Sequence, residues 1–351
     1  MVCAVIKARI GLGITALVLM LAAGLRAGAA ADPVADFFAG KTMTMLIGYT
    51  SGGGYDIYAR VLSRHMGKHI PGNPQIVPQN MPGAGSLRLA NYLYNVAPKD
   101  GSAIGIFGRG MAMEPLIGAS KTEFDARKFT WLGSGSNQVS LCVTWKDSPV
   151  RTWADMRAKE FTVAGEGSGS DPDMFSTMLK NMMGVKLRLV SGYPGGPEMN
   201  LAMERGEIDG RCGWSWSSIK ITRPDWLKEK KINLLLQMAL EKSADLPDVP
   251  LVMDLAGSER ERQILKLILG RQQMGWPFLA PPDVPADRAQ VLRQAFDDTM
   301  KDADFLAEAK QRLLDVNPMR GAAIDKLIDE LYQTPAEVVV ATKAVIAEGA
   351  R

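Results

Sequence analysis

The chain has 351 residues, 46% hydrophobic and 23% charged, ordinary values for a globular protein long enough to build two cores. Its 41 Lys and Arg against 38 Asp and Glu give a formal net charge of +3. Residues 1–31 carry that excess as Lys7, Arg9 and Arg26 with no acid, so the remaining chain is neutral, with no global basic field for nucleic acid.

In chain order, Lys7 and Arg9 precede the apolar run Ile10–Leu25 and the small-residue tail Ala27–Ala31. This reads as a signal peptide over 1–31, cleaved near Ala29 to Ala31. The run is shorter than the roughly 20 residues that span a bilayer, so the expectation is a periplasmic protein with no stable membrane insertion after cleavage.

Met43–Tyr49 suits a short buried strand. Gly52, Gly53 and Gly54 then break regular structure, and from Asp56 the apolar residues Tyr58, Val61, Leu62 and Met66 recur at helical spacing. Asp56 stands where an N-cap is expected. A glycine loop feeding a helix presents free N–H groups and a positive dipole end, which suits an anion. The device repeats: Gln75–Pro78 is extended, Pro82, Gly83, Ala84 and Gly85 form the loop, and Ser86 is placed to cap a helix through Leu87, Ala90 and Tyr94. Two such loops imply a site at the carboxyl ends of the strands.

Ala103–Phe107 is the next strand, and Gly108–Met111 is a third loop, in which Arg109 reads as a surface or structural arginine more readily than a ligand contact. Val139–Trp145 is a strand, and Thr152-x-x-Asp155 a capping box. The strand Phe161–Ala164 runs into Gly165-Glu166-Gly167-Ser168-Gly169-Ser170, and Asp171-Pro172 reads as N-cap and first turn of a helix. Lys186–Val190 and Glu207–Arg211 are strands. Trp214 and Trp216 either wall a pocket or close a core. Ile232–Met238 and Met274–Leu279 are the later strands. Ser258-x-x-Glu261 and Thr334-Pro335-x-Glu337 are further capping boxes, with helices over 287–300, 302–314 and 322–332. The alternation argues for α/β layers with largely parallel sheets.

Cys3 leaves with the leader. Cys142 and Cys212 either pair in an oxidising compartment or stand as two buried thiols.

Taken together, Gly48-Tyr49-x-x-Gly52-Gly53-Gly54-Tyr55-Asp56-x-x-Ala59-Arg60 and Pro78-Gln79-Asn80-x-Pro82-Gly83-Ala84-Gly85 resemble the signature of the Bug family. These are the TctC-like substrate-binding proteins of tripartite tricarboxylate transporters. The resemblance continues through Gly165–Ser170, Tyr193-Pro194-Gly195-Gly196-Pro197 and Gly206-Glu207-Ile208-Asp209. It implies a two-lobed periplasmic-binding-protein fold, each lobe a mostly parallel sheet flanked by helices, with the chain crossing near 137–140 and 236–242. Lobe 1 would be 32–138 plus 240–351, with the C-terminal helices returning to it, and lobe 2 would be 139–239.

It further implies capture of a small organic acid by a monomeric protein that hands it to membrane permease subunits, with no cofactor. The implied first-lobe contacts are Thr50, Gly52, Gly53, Gly83, Ala84, Gly85 and Ser86. The second-lobe contacts are Ser168, Ser170, Tyr193, Gly195 and Asp209. Asp56 mainly holds its loop, with a ligand role second. Three features depart from the family pattern: Tyr55 near the pocket mouth, Ser86 where glycine is common, and Glu166 inside a loop expected to hold an anion. Tyr55, Trp214 and Trp216 favour an aromatic or longer acid.

Enzyme motifs are sparse. Gly40-Lys41-Thr42 lacks the first glycine of a P-loop, Gly165-x-Gly167 is half a dinucleotide fingerprint, and no Gly-x-Ser-x-Gly occurs. His65 and His69, at i and i+4, lack the further ligands that zinc needs, so no metal site is expected. An enzyme acting on a carboxylated metabolite, or a ligand sensor for a signalling partner, remains the alternative class.

Overall fold

The computed structural model describes residues 32–347. The expected signal peptide and its cleavage site lie outside the described residues.

The elements run α1 (Pro33–Phe38), β1 (Thr42–Ile47), α2 (Gly54–Met66), β2 (Gln75–Asn80), α3 (Leu87–Asn95), β3 (Ala103–Ile106), α4 (Glu114–Ile117) and β4 (Thr130–Ser134). Next come β5 (Ser140–Trp145), α5 (Trp153–Ala158), β6 (Phe161–Ala164), α6 (Asp171–Met183), β7 (Leu187–Val190), α7 (Gly196–Glu204), β8 (Gly210–Ser215), α8 (Trp216–Thr222), α9 (Pro224–Lys228) and β9 (Ile232–Met238). The last are α10 (Glu259–Leu269), β10 (Pro277–Ala280), α11 (Ala286–Thr299), α12 (Ala303–Gln311), β11 (Met319–Arg320), α13 (Gly321–Tyr332) and α14 (Ala336–Ile346).

The strands form two sheets, ordered β11-β4-β10-β3-β1-β2 and β7-β6-β8-β5-β9. Each is the middle layer of one lobe. The first packs Leu62 of α2 and Phe296 of α11 on one face, and Leu89 of α3 with Ile324 of α13 on the other. The second packs Phe175 of α6 on one face and Met199 of α7 with Ile219 of α8 on the other. These apolar stripes remove side chains from water at roughly 1.5–3 kcal/mol for each large aliphatic one.

The two-lobed α/β architecture is as expected, but the sheets are mixed, not mostly parallel. β1 runs parallel to β2 and β3, and β6 parallel to β7 and β8. β10 is antiparallel to β3 and β4, β11 to β4, and β5 to both β8 and β9. The strands in antiparallel pairs flank the two points at which the chain passes from one sheet to the other, or lie next to such a strand. β4 belongs to the first sheet and β5 to the second, and the chain returns between β9 and β10. β4 escapes a sequence reading because Thr130, Gly133 and Ser134 dilute its apolar pair Trp131–Leu132.

Of the helices after β9, α11, α12 and α13 pack on the first lobe. α10 and α14 instead place Ile264, Leu265, Ile268 and Val338 in the same core as Phe175 of α6. The C-terminal helices are therefore shared between lobes and do not all return to the first.

Several helix starts also shift. Thr152 and Ser258 cap as read, accepting from Asp155 N–H and Glu261 N–H at 3.1 and 3.2 Å. Thr334 makes no such bond, because Pro335 takes the cap position of α14. Ser170, not Asp171, caps α6. Cys142 and Cys212 form a disulfide between the neighbouring strands β5 and β8. The pairing of those strands slips between Leu141 and Val143, beside Cys142.

Candidate ligand-binding cleft

The carboxyl ends of β1, β3, β6 and β8 converge on a cavity of about 290 Å³ between the lobes. From the first lobe come Tyr49–Tyr55, Gly108–Gly110 and Trp276. From the second come Glu166, Ser170–Pro172, Gly196, Pro197, Asn200, Arg211, Gly213–Ser215, Ser218, Thr222 and Arg223.

On the first lobe, α2 begins at Gly54 with Gly53 as N-cap, three residues earlier than the cap the sequence suggests. Asp56 therefore sits in the first turn and is buried. Its Oδ2 accepts from Gly52 N–H at 2.9 Å and from the Ser51 hydroxyl at 3.3 Å. Its Oδ1 accepts from Arg60 Nε and Asn80 Nδ2, both at 2.8 Å. The carboxylate is wholly engaged in shaping the loop. Gly53, Gly54 and Tyr55 line the cavity, so the N-terminus of α2, the positive end of its dipole and the end whose first amides have no partner within the helix, lies at the cavity wall.

The Gly83–Ser86 loop does not line the cavity. All four residues have positive φ, including Ala84 at 48° and Ser86 at 83°. Ser86 makes no side-chain cap. Its Oγ donates to Gly48 O at 3.2 Å and accepts from Gly108 N–H at 3.0 Å, so it buckles three first-lobe loops together. Gly85 rests on the second lobe: a Cβ there would lie 3.0 Å from Ser170 Cβ and 3.2 Å from Gly167 O.

The second-lobe glycine loop is not free to hold an anion, because the protein fills it. Asp173 Oδ2 accepts from Glu166 N–H at 2.6 Å, Gly167 N–H at 3.0 Å and Ser170 Oγ at 2.9 Å. Ser168 turns away to Glu114 Oε1 at 3.2 Å and lines a separate cavity of about 250 Å³. Asp209 accepts from Thr162 N–H at 2.8 Å. Gly195 closes on Thr50, whose hydroxyl donates to Glu198 Oε2 at 3.0 Å across the lobes. Tyr193 packs in the core beside Trp214.

The cavity thus brings together Thr50, Gly52, Gly53, Tyr55, Ser170 and Trp214. It leaves out Asp56, Gly83, Ala84, Gly85, Ser86, Ser168, Tyr193, Gly195 and Asp209. Trp216 also stays out, donating Nε1–H to Asp245 at 2.9 Å.

Sequence reading misses Arg211 and leaves the direction of Glu166 open. β8 runs over Gly210–Ser215, later than the expected Glu207–Arg211, and its Arg211, Gly213, Trp214 and Ser215 all border the cleft, the positive φ of Gly213 breaking strict alternation. The Arg211 side chain is 4% exposed and that of Glu166 8%, with Nη2 and Oε1 3.9 Å apart, beyond hydrogen-bond length. Arg211 Nη1 donates to Gly196 O and Asn200 Oδ1, both at 3.2 Å. Its guanidinium lies 4.7 Å over the Trp214 ring, and its buried Nε has no partner. Burial pushes the Glu166 carboxyl up to about 7 against the pull of Arg211. Burial likewise draws Arg211 down to about 10, leaving it charged at neutral pH.

Arg109 is neither a surface residue nor a free ligand contact. Only 2% exposed, it donates Nε to Asp171 Oδ2 at 2.8 Å and Nη1 to Gly275 O at 2.9 Å. Its Nη2 reaches Ser140 and Ser215 Oγ at 3.0 and 2.9 Å. Arg271 flanks Asp171 from the other side at 3.1 Å. Burial opposes the charge on Arg109, but Asp171 outweighs it and raises the guanidinium above its ordinary value. Away from the cleft, His65 faces Glu308 of α12 at 2.8 Å and His69 faces Asp302, the N-cap of α12, at 3.1 Å.

Two mixed α/β layers enclosing one cavity at their seam define a periplasmic-binding-protein fold. The structure of the periplasmic binding protein BugD superposes with a TM-score of 0.70 at 18% identity, covering 88% of this chain and 98% of that one. MatC from Rhodopseudomonas palustris with bound malate gives 0.66 at 21%, covering 88% and 100%. In sequence, a UPF0065 protein of Agrobacterium vitis is 25% identical over 275 residues, 76% of this chain and 73% of its own. No protein-family model matches the chain. These relatives and this fold bear out the resemblance to the TctC-like binding proteins of the Bug family. Among the described residues, no helix is long and apolar enough to cross a membrane.

Proposed function

We propose that the chain is an exported solute-binding protein. It captures a small organic acid between its lobes and delivers it to a tripartite tricarboxylate-type permease. The observation that carries this reading is the seam cavity. At about 290 Å³ it has the size of a small-ligand pocket, and both lobes contribute to its wall. The first-turn amides of α2 supply an anion site that needs no basic side chain. The malate in MatC is consistent with a carboxylated ligand. Capture works by hinge closure, since a ligand touching both lobes favours the state in which they meet.

The enzyme reading is less well supported. Histidine and cysteine are missing from the residues that line the cavity. Ser170, a hydroxyl in its wall, is engaged in capping α6.

A panel of organic acids separates the readings. The expected outcome is a raised thermal midpoint with the acid recovered unchanged by mass spectrometry. Turnover of the acid would replace binding with catalysis. Gly53→Val is the control. A Cβ there meets only Pro197 Cδ at 3.6 Å and Thr50 O at 4.0 Å, so the fold accepts it while the added bulk enters the cleft. The variant should melt as wild type without ligand and lose the ligand-induced shift.

A further inference from the structure

The second-lobe wall of the cavity carries both signs of charge. Arg211 and Glu166 stand side by side there, each almost wholly buried, 3.9 Å apart and not hydrogen-bonded to one another. The guanidinium is fixed in place by Gly196 O and Asn200 Oδ1, with the Trp214 ring beneath it. That leaves its Nε–H without a partner. A buried unmet donor on a charged group is costly, so a ligand that supplies an acceptor at this point gains affinity.

A second carboxylate is a poor occupant. It would meet Arg211 favourably but press against the Glu166 carboxylate, and two carboxylates sharing a desolvated site cannot both remain ionised. A plain hydrocarbon tail would leave both groups unmet. A carboxamide or ureide answers both: its carbonyl oxygen accepts from Arg211 while its N–H donates to Glu166.

We propose that the Arg211–Glu166 wall selects an uncharged tail with a carbonyl oxygen beside an N–H, so that the cleft takes a monocarboxylate ending in a carboxamide or ureide. This rests on the proposed capture of an organic acid, whose carboxylate sits at the other end, on the first-turn amides of α2. Burial pushes Glu166 up to about 7, so the discrimination is sharpest in mildly alkaline solution, where the group is ionised.

Matched acids test it by titration calorimetry at about pH 8, above the Glu166 transition. The probes are succinate against succinamate, glutarate against glutaramate and adipate against adipamate, with butyrate as the apolar-tailed acid. Wild type should bind the best monoamide about tenfold or more tighter than its diacid, the range expected of a charge-assisted hydrogen bond. Glu166→Gln leaves Arg211 uncompensated and should reverse the order in favour of the diacid. Arg211→Met should bring the monoamide down to the level of butyrate.

Diacids binding wild type as tightly as their monoamides would overturn the assignment while leaving organic-acid capture standing. Binding of neither series would overturn both. The wild-type comparison decides the matter even if a variant fails to fold.

Discussion

Glu166 shows how far a single position can be read. Its place inside a glycine loop is visible in the sequence, and so is the conflict with an anion. Its orientation is not, because that depends on Asp173 taking the Glu166 N–H at 2.6 Å and on Arg211 arriving from another strand. The consequence is a titration in the neutral range. Burial raises the carboxyl from 4.5 to about 7. The folded chain then holds this proton more tightly than the unfolded chain, so the group favours folding below about 4.5 and loses that contribution as pH rises to 7. The loss is about 3 kcal/mol at 1.36 kcal/mol per unit. Glu166→Gln removes it. Denaturant unfolding of both proteins should show the variant gaining on wild type by about that amount between pH 4 and pH 8. A difference independent of pH would mean that Glu166 is already solvated or tightly paired.

At the scale of elements, the strand–loop–helix units are legible because glycine punctuation and helical spacing are local signals. β1 with α2 and β6 with α6 fall close to where the sequence places them. What the loops do with their amides is not local. Glycine spacing marks both loops as amide-rich turns, yet in the second a carboxylate of the chain, Asp173, takes the amides. Asp173 is three residues beyond the N-cap Ser170, the position from which an acidic side chain folds back over the first turn. Its Oδ1 also accepts from Ser191 Oγ, tying the loop to the segment after β7.

Asp173→Asn would keep the shape but leave one uncharged acceptor oxygen where two carboxylate oxygens now serve two amides and two hydroxyls. The expected cost is about 2–3 kcal/mol, measured by denaturant unfolding, because a buried group left unmet costs more than the bond it replaces. A cost below about 0.5 kcal/mol, the level of an ordinary surface change, would show that the loop does not depend on this carboxylate. Arg211 is the opposite case. Reading β8 three residues early ends the strand at Arg211, whereas the strand begins at Gly210 and carries Arg211 beside the cleft.

For the whole molecule, the sequence yields two lobes but not the seam between them, since contacts across it join residues far apart in the chain. That seam is dense and partly charged. Arg109 of the first lobe reaches Asp171 and Ser215 of the second, and Arg271 donates to Gly169 O at 3.3 Å. Closure therefore brings buried ions together, which is favourable only when the geometry is met with little slack.

Gly110 marks how little there is. A Cβ there would lie 1.9 Å from Gly169 O and 2.7 Å from Arg271 Nη1. Because the nearer obstacle is backbone of the opposite lobe, relief requires the lobes to part, not a side chain to turn. Gly110→Ala should therefore leave each lobe folded, with an unchanged circular dichroism spectrum, while holding the pair open. Small-angle scattering should report a larger radius of gyration than wild type in the presence of a bound acid, and that acid should no longer raise the melting midpoint. Normal compaction and a normal shift in the variant would show that the Arg109–Asp171 seam is not the face on which the lobes close.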